Sequence, residues 1–115
     1  MRRGPAVSGI KGDVVIIPFP FSDLTQSKRG PGLVIAELEG DDLILCQITS
    51  QAIKDKYAIL ISDDDFQTGS SKQPSNVRPD RIFAADSHIV LYRVGSLKIE
   101  KLTEVIEKVV GIIRK

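Results

Sequence analysis

Short runs of apolar residues, separated by polar or glycine-containing turns, make up most of the first half of the chain. Residues 14–17 are all β-branched, which favours a strand over a helix. A polar loop is expected over residues 22–32. The apolar runs 33–36 and 43–48 flank an acidic turn that contains Gly40, and this pattern predicts a β-hairpin.

The second half of the chain continues with short elements. Residues 57–61 predict a strand, and the three aspartates 63–65 predict a helical turn, because carboxylates suit a helix N-terminus. Residues 68–75 are expected to form a loop, 75–83 an extended segment interrupted by a proline, and 88–94 a strand.

Residues 99–113 change to a helical period. Their apolar positions form one stripe, which we expect to pack on the core or against a second copy: Leu102, Val105, Ile106, Val109, Val110 and Ile113. Several short strands followed by one terminal helix predict a mainly β fold, a small barrel with a C-terminal α-helix. Residues 1–9 are expected to be a flexible tail, and residues 10–115 a single domain.

Composition restricts the function classes. A length of 115 residues suits one domain, and a single Cys excludes an internal disulfide framework and a Cys-based zinc site. No apolar run approaches the roughly 20 residues that span a membrane, and the N-terminus lacks the apolar core of a secretory signal. We therefore expect a soluble cytoplasmic protein with no membrane partner.

Charge changes this picture because it is unevenly distributed. The net charge of +1 argues against a strongly basic nucleic-acid binder. However, seven of the fifteen acidic residues lie in residues 37–42 and 63–65, so the remainder of the chain carries a net charge of +8. A cationic surface is expected if folding separates these acids from the basic residues, and solvated turns are the alternative.

Residue types and spacing alone identify no catalytic centre. No glycine-rich phosphate loop, metal-ligand spacing or Ser-His-Asp set is present. Cys46 lies in an apolar strand and is interpreted as a buried hydrophobe, and His88 as a structural or surface residue. Most of the four Phe and two Tyr residues are expected in the core.

A set of short motifs, in order along most of the chain, resembles the MazF/PemK-like toxins of bacterial toxin–antitoxin systems. The motifs are Lys-Gly-Asp-Val-Val at 11–15, Pro-Phe-Pro-Phe-Ser-Asp-Leu at 18–24, Lys-Arg-Gly-Pro at 28–31, Ile-Thr-Ser at 48–50, Asp-Arg-Ile-Phe at 80–83 and Val-Gly-Ser-Leu at 94–97. This resemblance implies an SH3-like barrel that forms homodimers.

The resemblance also implies a function. Members of this family are endoribonucleases that cleave single-stranded RNA by attack of a ribose 2′-hydroxyl on the adjacent phosphate, without metal or cofactor. A cognate antitoxin silences them, and the toxin–antitoxin complex is expected to bind DNA. Such a reaction requires a group that accepts the hydroxyl proton, a donor for the leaving oxygen and a positive charge on the phosphate.

The family assigns catalysis to a loop Arg and a Thr. Thr49 matches the Thr, where its hydroxyl would orient and stabilise the phosphate. The alternative is a structural hydroxyl that ends a strand by bonding to the backbone. The family's Arg immediately precedes a Pro, but this chain has Gly30 there and Arg29 one residue earlier. A slip of one residue in an extended segment turns a side chain to the opposite face.

Two alternative functions follow from this departure. The chain is either a nuclease in which Arg29 supplies the charge, or a catalytically weak RNA- or antitoxin-binding module on the same scaffold, in which case Gly30→Arg would raise cleavage. A gyrase-inhibiting toxin of the same architecture is a third reading.

Further RNA contacts are expected from hydroxyl, amide and cationic side chains around the groove: Ser22, Ser27, Lys28, Ser50, Gln51, Arg78 and Arg81. The cationic residues also have structural interpretations. Lys28 and Arg29 would form a solvated pair in a loop, and Arg78 and Arg81 would form ion pairs with surface aspartates.

Overall fold

The computed structural model describes residues 10–18, 29–51 and 54–115. Within them the chain forms seven strands and one α-helix: β1 (Asp13–Pro18), β2 (Arg29–Glu37), β3 (Asp42–Thr49), β4 (Ile59–Ile61), β5 (Phe66–Gly69), β6 (Ser75–Asp86), β7 (Tyr92–Leu97) and α1 (Ile99–Ile113). Single 3-10 turns occur at Asp63–Asp65 and Ser87–Ile89. The predicted tail, residues 1–9, lies outside the described residues.

All strands belong to one curled antiparallel sheet in the order β4-β6-β3-β2-β1-β7-β5. The mainly β prediction with a C-terminal helix is confirmed. The predicted hairpin corresponds to β2 and β3, and its turn contains Gly40 at a φ of 77°, a conformation that glycine adopts without a steric cost.

The loop predicted over residues 22–32 is wrong at its C-terminal end. Residues 29–32 are part of β2, where Pro18 pairs with Arg29 and Ile16 with Pro31. The Gly and Pro content suggests a loop, but the ladder with β1 determines the conformation. This correction matters because it places Arg29 in a strand with a defined register.

Three further boundaries differ from the sequence prediction. Thr68 and Gly69, predicted to begin a loop, belong to β5, because this strand pairs with β7. The strand predicted at 88–94 begins only at Tyr92, because the Asp86 side chain accepts the His88 N–H at 2.8 Å and turns the chain first. Segment 75–83 is instead part of the longer β6, which passes through Pro79 at a bulge opposite β3.

The sheet buries both of its faces. On one face, Leu102, Val105 and Val109 of α1 pack in a cluster with Leu33, which we call the helix-side core. On the other face, residues that include Val34 form a second cluster, the far-side core. The predicted helix stripe is thus largely confirmed, although Ile113 at its end is 68% exposed.

Candidate nucleic-acid site

A cavity of about 1000 Å³ lies against strands β1, β2, β3 and β7. Four of its lining residues, Val14, Ile48, Ile61 and Phe66, also belong to the helix-side core, so the inner part of the cavity is apolar. Its remaining lining residues are mostly polar or charged and come from β2, the end of β3 and the segment between β5 and β6. We call this space the groove.

Arg29 lies at the start of β2 and lines the groove. The β1–β2 ladder runs without a register shift from Arg29 to Leu33, which belongs to the helix-side core. Since side chains alternate between faces, Arg29 and Leu33 share one face of β2. Arg29 is exposed at the groove, where a fixed positive charge can bind a phosphate bidentately.

Position 30 belongs to the opposite face of β2. A Cβ added at Gly32, two residues further, would lie 3.3 Å from Leu45 and 3.7 Å from Phe83, both in the far-side core. A side chain at position 30 would point in the same direction as one at position 32. Gln47, which pairs with Gly32, shares this face, and Gly30 and Gln47 both line the groove. Arg29 is the β2 residue that presents a positive side chain there.

Thr49 is the last residue of β3, is half-buried and lines the groove. Its Oγ1 accepts the backbone N–H of Gln51 at 3.2 Å, which is the strand-ending bond expected under the structural alternative. This bond fixes the oxygen without using the hydroxyl hydrogen, which is free to donate. Ser50 and Gln51 follow in the chain and also line the groove.

The segment between β5 and β6 forms another wall of the groove. It connects one edge strand of the sheet to a strand near the other edge, and so it crosses the open side. It contributes Lys72 and Gln73, and its Ser70 Oγ donates to Asp63 at 2.9 Å. Sequence reasoning missed Lys72, because only the sheet order indicates that this segment returns to the groove.

Tyr92, the first residue of β7, also lines the groove and is 49% exposed. The expectation that most aromatic residues lie in the core does not apply to it. The sequence does not reveal the cross-strand register, which places Tyr92 beside Ile16 of β1 and so at the groove.

Arg78 and Arg81 are not among the residues that line the groove. Arg78 Nε donates to Asp55 Oδ2 at 3.1 Å and lines a separate cavity of about 550 Å³ with Lys54, Tyr57 and Asp80. Arg81 is exposed on β6. The structure thus brings together Arg29, Thr49, Ser50 and Gln51 and leaves the two β6 arginines elsewhere. Ser22, Ser27 and Lys28 lie outside the described residues.

The carboxyls around Arg78 have shifted pKa values. Burial alone would raise the pKa of Asp55, but hydrogen bonds from Asp80, from the Tyr57 N–H and from Arg78 bring it below its ordinary value. Burial, and the hydrogen bond to Asp55, raise the pKa of Asp80. This arrangement matches an internal ion pair that anchors the segment before β4 to β6.

The remaining candidates behave as interpreted from the sequence. Cys46 is buried, and burial raises the pKa of its thiol to about 12, which removes it as a nucleophile. His88 is exposed, with Nδ1 2.7 Å from Asp86. Among the described residues there is no cluster of three or more His, Cys, Asp or Glu that could hold a metal, and no helix long and apolar enough to cross a membrane.

Comparison with solved structures shows the same fold in toxins of this architecture. The Deinococcus radiodurans MazE–MazF complex matches with a TM-score of 0.71 and 20% identity over 90% of this chain and 93% of that chain. The Mycobacterium tuberculosis toxin MazF-mt6 matches with a TM-score of 0.68 and 13% identity over 89% and 96%. An endoribonuclease in complex with its cognate antitoxin, from a mycobacterial species, matches at 0.66 and 9% over 90% and 93%.

Sequence comparison identifies the family. A search of curated proteins finds no significant match. A family model described as the PemK-like, MazF-like toxin of type II toxin–antitoxin systems matches residues 10–113. The chain therefore belongs to the PemK-like, MazF-like toxin family.

Proposed function

We propose that the chain is a homodimeric, cytoplasmic endoribonuclease toxin that cleaves single-stranded RNA without a metal and is inhibited by a cognate antitoxin. The observation that carries the proposal is the placement of Arg29 and Thr49 on one groove. Family membership and the endoribonuclease and antitoxin complexes among the structural neighbours support it.

In this mechanism the ribose 2′-oxygen attacks the adjacent phosphorus and gives its proton to water, while the bond from phosphorus to the 5′-oxygen breaks. The 5′-oxygen takes up a proton from water, and the products are a 2′,3′-cyclic phosphate and a 5′-hydroxyl. Arg29 binds the phosphate oxygens, whose negative charge increases in the transition state. It remains charged throughout, because the guanidinium does not lose its proton near neutral pH. Its position on a paired strand limits the reorganisation that binding would require.

Thr49 donates its hydroxyl hydrogen to the same phosphate or to the leaving 5′-oxygen. The Gln51 N–H holds the Thr49 oxygen in place, which orients this donor. Ser50, Gln51 and the segment that carries Lys72 supply further contacts to RNA. Carboxylate and imidazole groups are not among the described residues of the groove, so these residues supply phosphate binding and activation.

The loop Arg missing at position 30 is the argument for a catalytically inactive binding module. Arg29 lines the groove and brings a positive charge to it, whereas the β2–β3 register leaves position 30, and not Arg29, on the face of Gln47 and Thr49. Family membership and this charge support the nuclease hypothesis, and a homodimer with a DNA-binding antitoxin complex is expected with it.

The test is cleavage of labelled single-stranded RNA by the purified full chain in the presence of EDTA. We expect Thr49→Ala to lower kcat/KM by roughly 10²-fold, the usual effect of losing one donor to a transition-state oxyanion. Thr49→Ser should keep most of the activity, because it retains the hydroxyl. Thr68→Ala is the matched control, since the Thr68 hydroxyl bonds Ser96 outside the groove.

Equal cleavage by wild type and Thr49→Ala would show that Thr49 has no catalytic role. No cleavage of any single-stranded RNA by wild-type protein would contradict the function itself. Sedimentation of the same samples tests the dimer.

A further inference from the structure

We propose that Tyr92 is a stacking platform for an RNA base that flanks the cleaved phosphate. This inference rests on the proposed function and adds a substrate-binding residue to it. The observation behind it is an aromatic ring that is half-exposed at the groove. Cross-strand neighbours connect this ring to the strand that carries Arg29.

The position of Tyr92 is defined by the sheet. It is the first residue of β7, and Val94, two residues further on the same face, packs against the helix-side core. Both residues line the groove, but 49% of Tyr92 is exposed. The core fixes the strand while the ring itself remains accessible.

A row of cross-strand neighbours links Tyr92 to the phosphate-binding end of the groove. Ile16 of β1 pairs with Tyr92 on one side and with Pro31 of β2 on the other, and all three line the groove. Neighbouring strands are about 4.8 Å apart, so the backbones of Tyr92 and Pro31 are separated by roughly 10 Å. Arg29 is the next residue of β2 on the same face.

The row of Tyr92, Ile16 and Pro31 carries no charge, whereas Arg29, beside its β2 end, is cationic. An apolar surface with an aromatic ring suits the flat face of a base, and a guanidinium suits a phosphate. A single strand could place one phosphate at Arg29 and a flanking base on the Tyr92 ring. Stacking requires little loss of side-chain freedom, because Tyr has only two rotatable side-chain bonds.

The experiment uses a short oligoribonucleotide that spans a cleavage site mapped with the wild-type protein. A 2′-deoxy sugar replaces the attacking nucleotide, so that the probe binds without being cleaved, and 2-aminopurine replaces a flanking base. We expect wild type to quench the 2-aminopurine fluorescence. Tyr92→Leu should weaken binding about tenfold and remove the quenching, since one stacked base contributes about 1–3 kcal/mol.

Tyr92→Phe separates stacking from the hydroxyl, and it should bind and quench like wild type. Tyr57→Leu is the matched control, because Tyr57 lies outside the groove beside Lys115. The inference is overturned if Tyr92→Leu binds and quenches like wild type, if Tyr92→Phe is as weak as Tyr92→Leu, or if Tyr92→Leu sediments as a monomer where wild type is a dimer. Wild-type protein that neither binds nor cleaves RNA would instead reject the proposed function.

Discussion

The register of Arg29 in β2 decides which face of the sheet its side chain occupies. The sequence offers Arg29 and Gly30 as alternatives for the same position relative to Pro31, and a slip of one residue reverses the face. The unshifted ladder from Arg29 to Leu33 settles the face, because Leu33 is anchored in the helix-side core. The departure from the family's pattern therefore does not remove the positive charge from the groove.

Three variants test this assignment. We expect Arg29→Gln to lower kcat/KM for RNA cleavage by roughly 10²- to 10³-fold, because the phosphate loses its charged donor. Arg29→Lys should recover only part of the activity, since an ammonium cannot bind two oxygens in the geometry of a guanidinium. Gly30→Arg should not increase cleavage, because Arg29 already supplies the positive charge at the groove. A gain of activity in Gly30→Arg would show that Arg29 does not supply this charge.

Close contact between two strands shapes the β5–β7 edge of the sheet. A Cβ added at Gly95 would lie 2.3 Å from the Thr68 carbonyl oxygen, and one at Gly69 would lie 2.2 Å from that of Val94. Gly69 also has a φ of 72°. Glycine at both positions allows the two backbones to approach, and this brings the segment after β5 to the wall of the groove.

The corresponding prediction concerns stability. We expect Gly95→Ala to lower the free energy of unfolding by about 2 kcal/mol or more, because backbone must move to admit the methyl group. Gly111→Ala is the matched control, since nothing lies within 4 Å of its added Cβ and the position is helical. It should raise the free energy of unfolding by about 0.5–1 kcal/mol. Urea denaturation of both variants measures the difference, and an unchanged Gly95→Ala would contradict the close approach.

The pair that anchors the segment before β4 makes stability depend on pH. The folded pKa of Asp55 is lowered, so its contribution is present above the unfolded value of about 3.9 and is lost as pH falls through the folded pKa. We therefore expect Asp55→Asn to cost about 2 kcal/mol of unfolding free energy at pH 7, where Arg78 loses its counter-charge. The cost should shrink in urea titrations below about pH 4.

Asp80→Asn provides the control for this prediction. The pKa of Asp80 is raised, so its contribution is present at low pH and is lost as pH rises through the folded pKa. An Asn at this position keeps an N–H donor toward Asp55 at every pH. We expect it to cost less than Asp55→Asn at pH 7, and an equal cost would show that the Arg78 contact is not the main interaction of Asp55.

The elements differ in how well the sequence predicted them. The hairpin and α1 follow from hydrophobic periodicity, which reports burial along a single element. Residues 29–32 and β5 escaped prediction because their Gly, Pro and polar residues become strand only through partners distant in the chain. The site shows the same limit. Thr49 and Arg29 come from motif resemblance, whereas Lys72 and Tyr92 reach the groove through sheet order and register.

At the scale of the whole molecule, charge is partly segregated. The acidic turn around Gly40 does not line the groove. The second acidic cluster lies nearer, because Asp63 accepts the Ser70 hydroxyl behind the segment that carries Lys72. The separation expected from the sequence therefore holds for one cluster and not for the other. The net charge of +1 leaves no broad field that would attract nucleic acid.

Binding should therefore depend on few phosphate contacts, and salt dependence measures their number. Arg29 and Lys72 are the two cationic residues among the described lining of the groove. Each phosphate contact to single-stranded RNA contributes a slope of about −0.7 to the plot of log K against log salt, so two contacts give about −1.4. We expect Lys72→Gln to reduce the slope by about 0.7, and Lys54→Gln, in the separate cavity beside Arg78, to leave it unchanged. If the wild-type slope is steeper than about −1.4 and Lys28→Gln reduces it, Lys28 also contacts a phosphate of the bound RNA. An unchanged slope in Lys72→Gln would remove Lys72 from the RNA-binding site.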